Sequence, residues 1–209
     1  LAISSAASDV YKRQLLIFVM RCDLRGCTGM ARKVEEPEYD VLVRHGEFEV
    51  RRYSDMIQAR LSVDRNNEFK PSHSFRRIAG YIFGGNANST RIPMTSPVQI
   101  WHSGTYSTMA FTMPSFLSEE DLPHPNDEDI QITAVPAGEV AAIKFSGFSN
   151  RSKVSRLMQK IIHLTEKKGY IARNEPILAI YDNPSTTIPF LRRNEILLPL
   201  ENTGGGTIE

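Results

Sequence analysis

His45, His73, His102, His124 and His163 fall singly along the chain, with no spacing that lets two of them share a metal ion. Cys22 and Cys27 have no second pair, which excludes a disulfide-stapled scaffold and a Cys-ligated zinc centre in the body of the protein. The sequence contains no G-x-S-x-G elbow, H-E-x-x-H pair, P-loop or G-x-G-x-x-G turn, and no nucleophile has a base at usable spacing. Gly84-Gly85 follows a helical pattern instead of preceding one, so it reads as a helix stop and not as a phosphate cradle. What remains is apolar. Phe75, Ile78, Ala79 and Ile82 fall at i, i+3, i+4 and i+7, a stripe on one helix face. Such a stripe fits core packing first, and a wall for a flat apolar ligand second.

The elements that must position these residues sit in a chain of ordinary globular composition. Its 209 residues are 41% hydrophobic and 23% charged, too apolar for a disordered polymer. With 25 basic and 24 acidic residues the formal charge is only +1, which disfavours nonspecific nucleic-acid binding as the main activity. Leu15 to Met20 is apolar but far short of the roughly 20 residues of a membrane span. Residues 1–30 are expected to be a non-native or disordered segment, with the remnant of an export signal as the alternative. A single domain is expected over 37–201 and a disordered tail over 202–209, in a monomer whose compartment stays open.

Within 37–201 the period-2 pattern of a half-buried strand marks Tyr39 to Arg44, and Phe48 to Tyr53 running on to Val63. A helix carries the Phe75 stripe, capped by Ser72 or Ser74 and stopped at Gly84-Gly85. Strands follow over Thr95 to His102 and Thr108 to Met113, then an acidic, Pro-rich connection over Glu119 to Asp129. The same order then recurs. A strand opens at Gly138-Glu139, a helix runs from about Arg151 to Lys168 with Asn150 as its cap, and strands follow over Ile177 to Tyr181 and Glu195 to Leu200. The expected fold is therefore α+β: duplicated βαββ halves forming a distorted antiparallel barrel, or two sheets, flanked by two helices.

The run from Phe75 to Asn86, FRRIAGYIFGGN, followed by Ile92-Pro93-Met94-Thr95-Ser96-Pro97-Val98, resembles the SOUL haem-binding protein family. Three further stretches agree in order: Phe48 to Tyr53, Phe145 to Phe148, and Tyr181 to Pro184 with Arg192 to Ile196. The resemblance implies the duplicated fold of that family, related to regulatory effector-binding domains. It also implies non-covalent binding of haem or a related tetrapyrrole, with no settled enzymatic activity.

Carried onto this chain, the implied cleft lies between the first helix and the loop before the last strand. Its walls would be Phe75, Ala79 and Ile82, with Tyr181, Ile188 and Phe190 from the loop. A porphyrin is a flat apolar disc with two carboxylates, so Arg76, Arg77, Arg192 and Arg193 are candidates for its propionates, Arg76 and Arg192 first among them. One departure stands out. Eye-type members carry a proposed iron-ligating His between the Arg and the Tyr of the EVRxY strand, and here that position is Arg52. No axial ligand can come from there. His73 is the histidine closest to the helix face, and a solvent-exposed position at the helix start suits it better. The competing reading is a general hydrophobic-effector or protein-interaction module, with Glu49 and Glu139 as carboxylates for a lipophilic cation.

Overall fold

The computed structural model describes residues 34–64, 69–182 and 187–201. The expected segments 1–30 and 202–209 lie outside the described residues, as do Asn183 and Pro184 of the loop motif. The strands are β1 (Tyr39–Arg44), β2 (Glu49–Tyr53), β3 (Met56–Asp64), β4 (Val98–Ser103), β5 (Tyr106–Thr112), β6 (Ile130–Val135), β7 (Gly138–Ser146), β8 (Ile177–Ile180) and β9 (Arg193–Pro199). Helix α1 (Pro71–Ile82) lies between β3 and β4, and helix α2 (Arg151–Lys167) between β7 and β8.

The nine strands of the described residues pair antiparallel in one curled sheet, in the order β1-β2-β7-β9-β8-β4-β5-β3-β6. This corrects the expectation of two sheets. The junction is β4 against β8, in the register Val98↔Ile180, Gln99↔Ala179 and Ile100↔Leu178. Pairing these strands satisfies backbone donors and acceptors that two separate sheets would leave open at their edges. The long strand expected over Phe48 to Val63 is also two strands. Ser54 and Asp55 interrupt it, so that β2 pairs with β7 while β3 pairs with β5 and β6. Strand β6, which follows the acidic connection directly, had no counterpart in the sequence reading.

Side-chain alternation sends Ile57, Ala59, Leu61, Met109 and Phe111 to one face, where Ile78, Tyr81 and Ile82 of α1 cover them. Phe48, Val50, Ala141, Ile143, Ile196 and Leu198 meet Ile161 of α2 in a second cluster on the same principle. Ile180 touches both clusters, so the loop that leaves β8 emerges where the two halves of the core meet.

Helix α1 is capped two residues before the nearer of the two expected serines. Lys70 is its N-cap, without a side-chain capping bond, and Pro71 occupies the first turn, where its missing N–H costs nothing. Helix α2 is capped as expected, with Asn150 Oδ1 accepting from the Lys153 backbone N–H at 2.9 Å. The turn after α1 explains the Gly-Gly-Asn run. Gly84 takes φ +108, and a Cβ on Gly85 would stand 2.8 Å from the Gly80 carbonyl oxygen. Asn86, buried, donates to the carbonyls of Tyr81 (3.0 Å) and Thr90 (2.7 Å) and accepts from the Thr90 N–H at 3.0 Å.

Candidate functional site

The helix wall is mostly core. Ile82 is 1% exposed and Ala79 6%, and Phe75 is half-buried with its ring centroid 5.4 Å from that of Phe111. Of Phe75, Arg76, Ala79 and Ile82, only Arg76 is exposed, and Phe75 is partly so. His73 is exposed at the helix start. Arg77 is committed elsewhere: its Nε donates to Asp127 at 2.6 Å, and its Nη2 reaches both Asp127 and Asp129. Those hydrogen bonds hold the Asp127 carboxyl below its usual range.

The loop wall is different in kind. Pro189–Leu191 form a 3-10 turn that packs on β7, whereas α1 packs on β3 and β5. Ile188, Phe190 and Leu191 are 52%, 70% and 62% exposed, and Phe148 after β7 is 61% exposed. Arg192 ties these together. Its Nε donates to the Thr187 carbonyl at 2.9 Å, and its guanidinium lies 5.3 Å from the Phe148 ring centroid. Asn194 Nδ2 anchors the same corner by donating to the Gly147 carbonyl at 3.1 Å. Four large exposed apolar side chains gathered about Arg192, with Phe148 against its guanidinium and the other three just before it in the chain, are the kind of feature that marks a ligand or partner site.

Tyr181 and Arg193 are both engaged with carboxylates. Tyr181 donates its hydroxyl proton to Glu195 Oε2 at 2.8 Å, and the Arg193 guanidinium stacks 3.9 Å from the Tyr181 ring centroid while pairing with Glu36. Burial first, and then the Glu195 charge, push the Tyr181 phenol far above its ordinary pKa.

Glu195 is the hub of a network the sequence reading missed. Arg51, fully buried, donates from Nη1 and Nη2 to the two Glu195 oxygens at 2.6 and 2.9 Å, from Nε to Glu49 at 2.7 Å and from Nη1 to the Tyr53 hydroxyl at 3.0 Å. The Tyr39 ring lies over its guanidinium at 4.2 Å. Burial opposes the Arg51 charge, but the hydrogen bonds and charge of Glu195 outweigh it and raise its pKa. Burial also pushes the Tyr53 phenol up to about 12, against the nearby Arg51 charge. The period-2 pattern of Phe48 to Tyr53 marks a half-buried strand and assigns no partners to its polar side chains. The signal that could have been read was a Glu, an Arg and a Tyr at i, i+2 and i+4, which place three hydrogen-bonding groups on one side of a strand.

Arg52, at the position of the proposed eye-type ligand, donates from Nη2 to Glu139 at 2.8 Å. Among the described residues no three His, Cys, Asp or Glu side chains converge as a metal site, and no helix is long and apolar enough to cross a membrane.

The sequence profile of the SOUL heme-binding protein family matches residues 34–199. Heme-binding protein 2 of Mus musculus is 24% identical over 172 residues, covering 78% of this chain and 82% of that protein. The Homo sapiens protein of the same name is 25% identical over 184 residues, covering 82% and 89%. Among solved structures, the EcmrR C-terminal domain superposes with a TM-score of 0.54 at 13% identity, over 78% of this chain and 98% of that one. A hydrolase from Listeria innocua gives 0.53 at 11% identity, over 91% and 98%. At those identities the likeness is one of fold.

Proposed function

The chain belongs to the SOUL heme-binding protein family, and we propose that it binds haem or a related tetrapyrrole non-covalently, as a carrier or buffer, through the apolar surface of the loop before β9. The observation that carries this reading is the exposure of Phe148, Ile188, Phe190 and Leu191 about Arg192. These residues fit a flat apolar guest with acidic edges. The apolar side chains supply area, and Arg192, with Arg76 on the helix side, supplies cations for propionates. Phe75 contributes its accessible part, while Ala79 and Ile82, buried, support the helix from beneath. Tyr181 fixes the loop's exit from β8 through Glu195. The bound group would bring its own iron, and Arg52 offers that iron no ligand. Two βαββ halves remain our reading of the fold's origin. Its support is the strand order, which on either side of the β8–β4 junction reads β9-β7-β2 one way and β5-β3-β6 the other.

Titration with haem and with iron-free protoporphyrin IX, followed in the Soret band, tests the reading. Both should bind with similar micromolar to submicromolar dissociation constants, roughly −8 to −10 kcal/mol, since the ring and not the metal makes the contacts. Binding of haem alone would require an iron ligand and overturn the ligand-free mode. The effector reading with a cationic guest has less support, because Glu49 is engaged by Arg51 and Lys144 and Glu139 by Arg52.

A further inference from the structure

The sheet face that turns away from the helices carries a feature the tetrapyrrole reading does not use. Ile57, Ala59 and Leu61 of β3 point into the α1 cluster, so Gln58 and Arg60 point to the opposite side, as do Gln99 and Trp101 of β4. There they border an open groove of about 780 Å³, which Arg173, Ile177 and the carboxylates Glu139 and Glu175 also line. Its volume falls within the roughly 300–1,000 Å³ typical of small-molecule sites.

The hydrogen bonds along its wall run in one direction. Arg60 Nε donates to Gln58 Oε1 at 3.0 Å. A guanidinium has no acceptor, so this bond fixes the Gln58 amide with its oxygen toward Arg60 and its nitrogen away. That nitrogen donates to Gln99 Oε1 at 3.1 Å. Each amide oxygen thus accepts one of these bonds, and the terminal nitrogens of Arg60 and the amide nitrogen of Gln99 remain as donors along this wall.

Arg60 also differs from the arginines that meet carboxylates elsewhere in the fold. Arg51 meets Glu49 and Glu195, Arg77 meets Asp127, and Arg193 meets Glu36. Among the described residues no carboxylate pairs with Arg60, and burial lowers its pKa with nothing to offset it. A partly desolvated guanidinium without an anion is costly to keep. Beside it stands a flat surface, since its Cζ lies 5.4 Å from the Trp101 ring centroid.

We propose that this groove is a second binding site, for a small planar organic anion such as an aromatic carboxylate. The carboxylate is held by Arg60 and the Gln99 amide, and the ring lies along Trp101. The site is independent of the tetrapyrrole surface and does not rest on that reading.

The test uses 2-naphthoate as the anion, naphthalene-2-methanol as its neutral counterpart and 2-naphthylmethylammonium as the cation, each titrated calorimetrically into the full chain. Naphthoate should bind one to one, and the other two at least tenfold more weakly. Trp101, the single tryptophan of the chain, should change its emission on naphthoate binding. Arg60→Gln should lose tenfold or more in naphthoate affinity, Gln99→Leu about threefold or more, and both should titrate haem as the parent does. Equal or tighter binding of the cation, no naphthoate binding up to millimolar concentration, or parent-like naphthoate binding by both variants would each overturn the proposal. Parallel loss of haem and naphthoate in Arg60→Gln would overturn the independence of the two sites. The three parent titrations decide the charge preference even if one variant fails to fold.

Discussion

Arg51 on β2 and Glu195 on β9 form a two-point ion pair, at 2.6 and 2.9 Å, across the strand β7 that separates them in the sheet. Both side chains are buried, and each has further partners: Glu49 and Tyr53 for the arginine, Tyr181 for the carboxylate. A buried pair of this kind contributes less net stability than its geometry suggests, because desolvation offsets most of the attraction. Its consequence is specificity of register. A one-residue slip of β2 on β7 would send Arg51 to the opposite face, into the α2 cluster.

Removing one partner should therefore be far worse than removing both. Glu195→Ala or Arg51→Ala should cost about 3–5 kcal/mol in urea unfolding, since each strands a buried charge. The double variant Arg51→Met with Glu195→Leu should unfold less easily than either single variant. Near-additive losses would mean that the pair is not coupled.

Stability should fall at both ends of the pH scale. Tyr53 has a folded pKa raised to about 12 by burial, so its contribution is complete below about pH 10, the unfolded value, and is lost as pH rises toward 12. Tyr181 is shifted in the same direction. Asp127 and Glu49 have lowered folded pKa values, so their contributions are present above about pH 4 and disappear as pH falls through the folded values. For Glu49, burial opposes that shift and the hydrogen bonds from Lys144 and Arg51 outweigh it. Phenolate absorbance followed with circular dichroism should show Tyr53 and Tyr181 ionising only with unfolding. Their titration in the folded state near pH 10 would contradict the buried network.

The exposed loop should separate binding from folding. Ile188→Asp and Phe190→Asp should each lower porphyrin affinity about tenfold or more while shifting stability by no more than about 0.5 kcal/mol, as is usual for exposed positions. Unchanged Soret titrations in both would remove the loop from the site.

Ala79→Glu should behave in the opposite way. At 6% exposure the new carboxylate would be buried without a partner, at a cost of about 3 kcal/mol or more. A folded Ala79→Glu protein of near-parent stability would show that this helix face is open to ligand after all.

Gly85→Ala probes the turn behind α1. Its Cβ would meet backbone of Gly80 at 2.8 and 3.0 Å, so the turn must open, at about 1–3 kcal/mol. A loss below about 0.5 kcal/mol would show that the Asn86 lock tolerates the shift.

Much of the architecture was legible as pattern. The i, i+3, i+4, i+7 stripe located α1, the Asn150 cap opened α2, and the strand segments read from the sequence overlap eight of the nine strands of the described residues. The break at Ser54-Asp55 and the strand β6 were not legible, because a strand end costs nothing in a local window and is set by which neighbour the backbone pairs with. The stripe itself was ambiguous. Phe75, Ala79 and Ile82 read identically as core or as ligand wall, and only the packing of β3 and β5 against α1 sorted them by exposure.

The sequence alone determined the residue classes, the helix faces and the family motifs, since these depend on spacing along the chain and on chemistry that each residue carries anywhere. The tertiary structure decided that β4 and β8 join one sheet, that Arg51 meets a carboxylate 144 positions away, and that Arg60 meets none among the described residues. Charge pairing and burial are properties of three-dimensional neighbourhood. An arginine's letter is the same whether its field is answered by a glutamate across the sheet or left open to a groove.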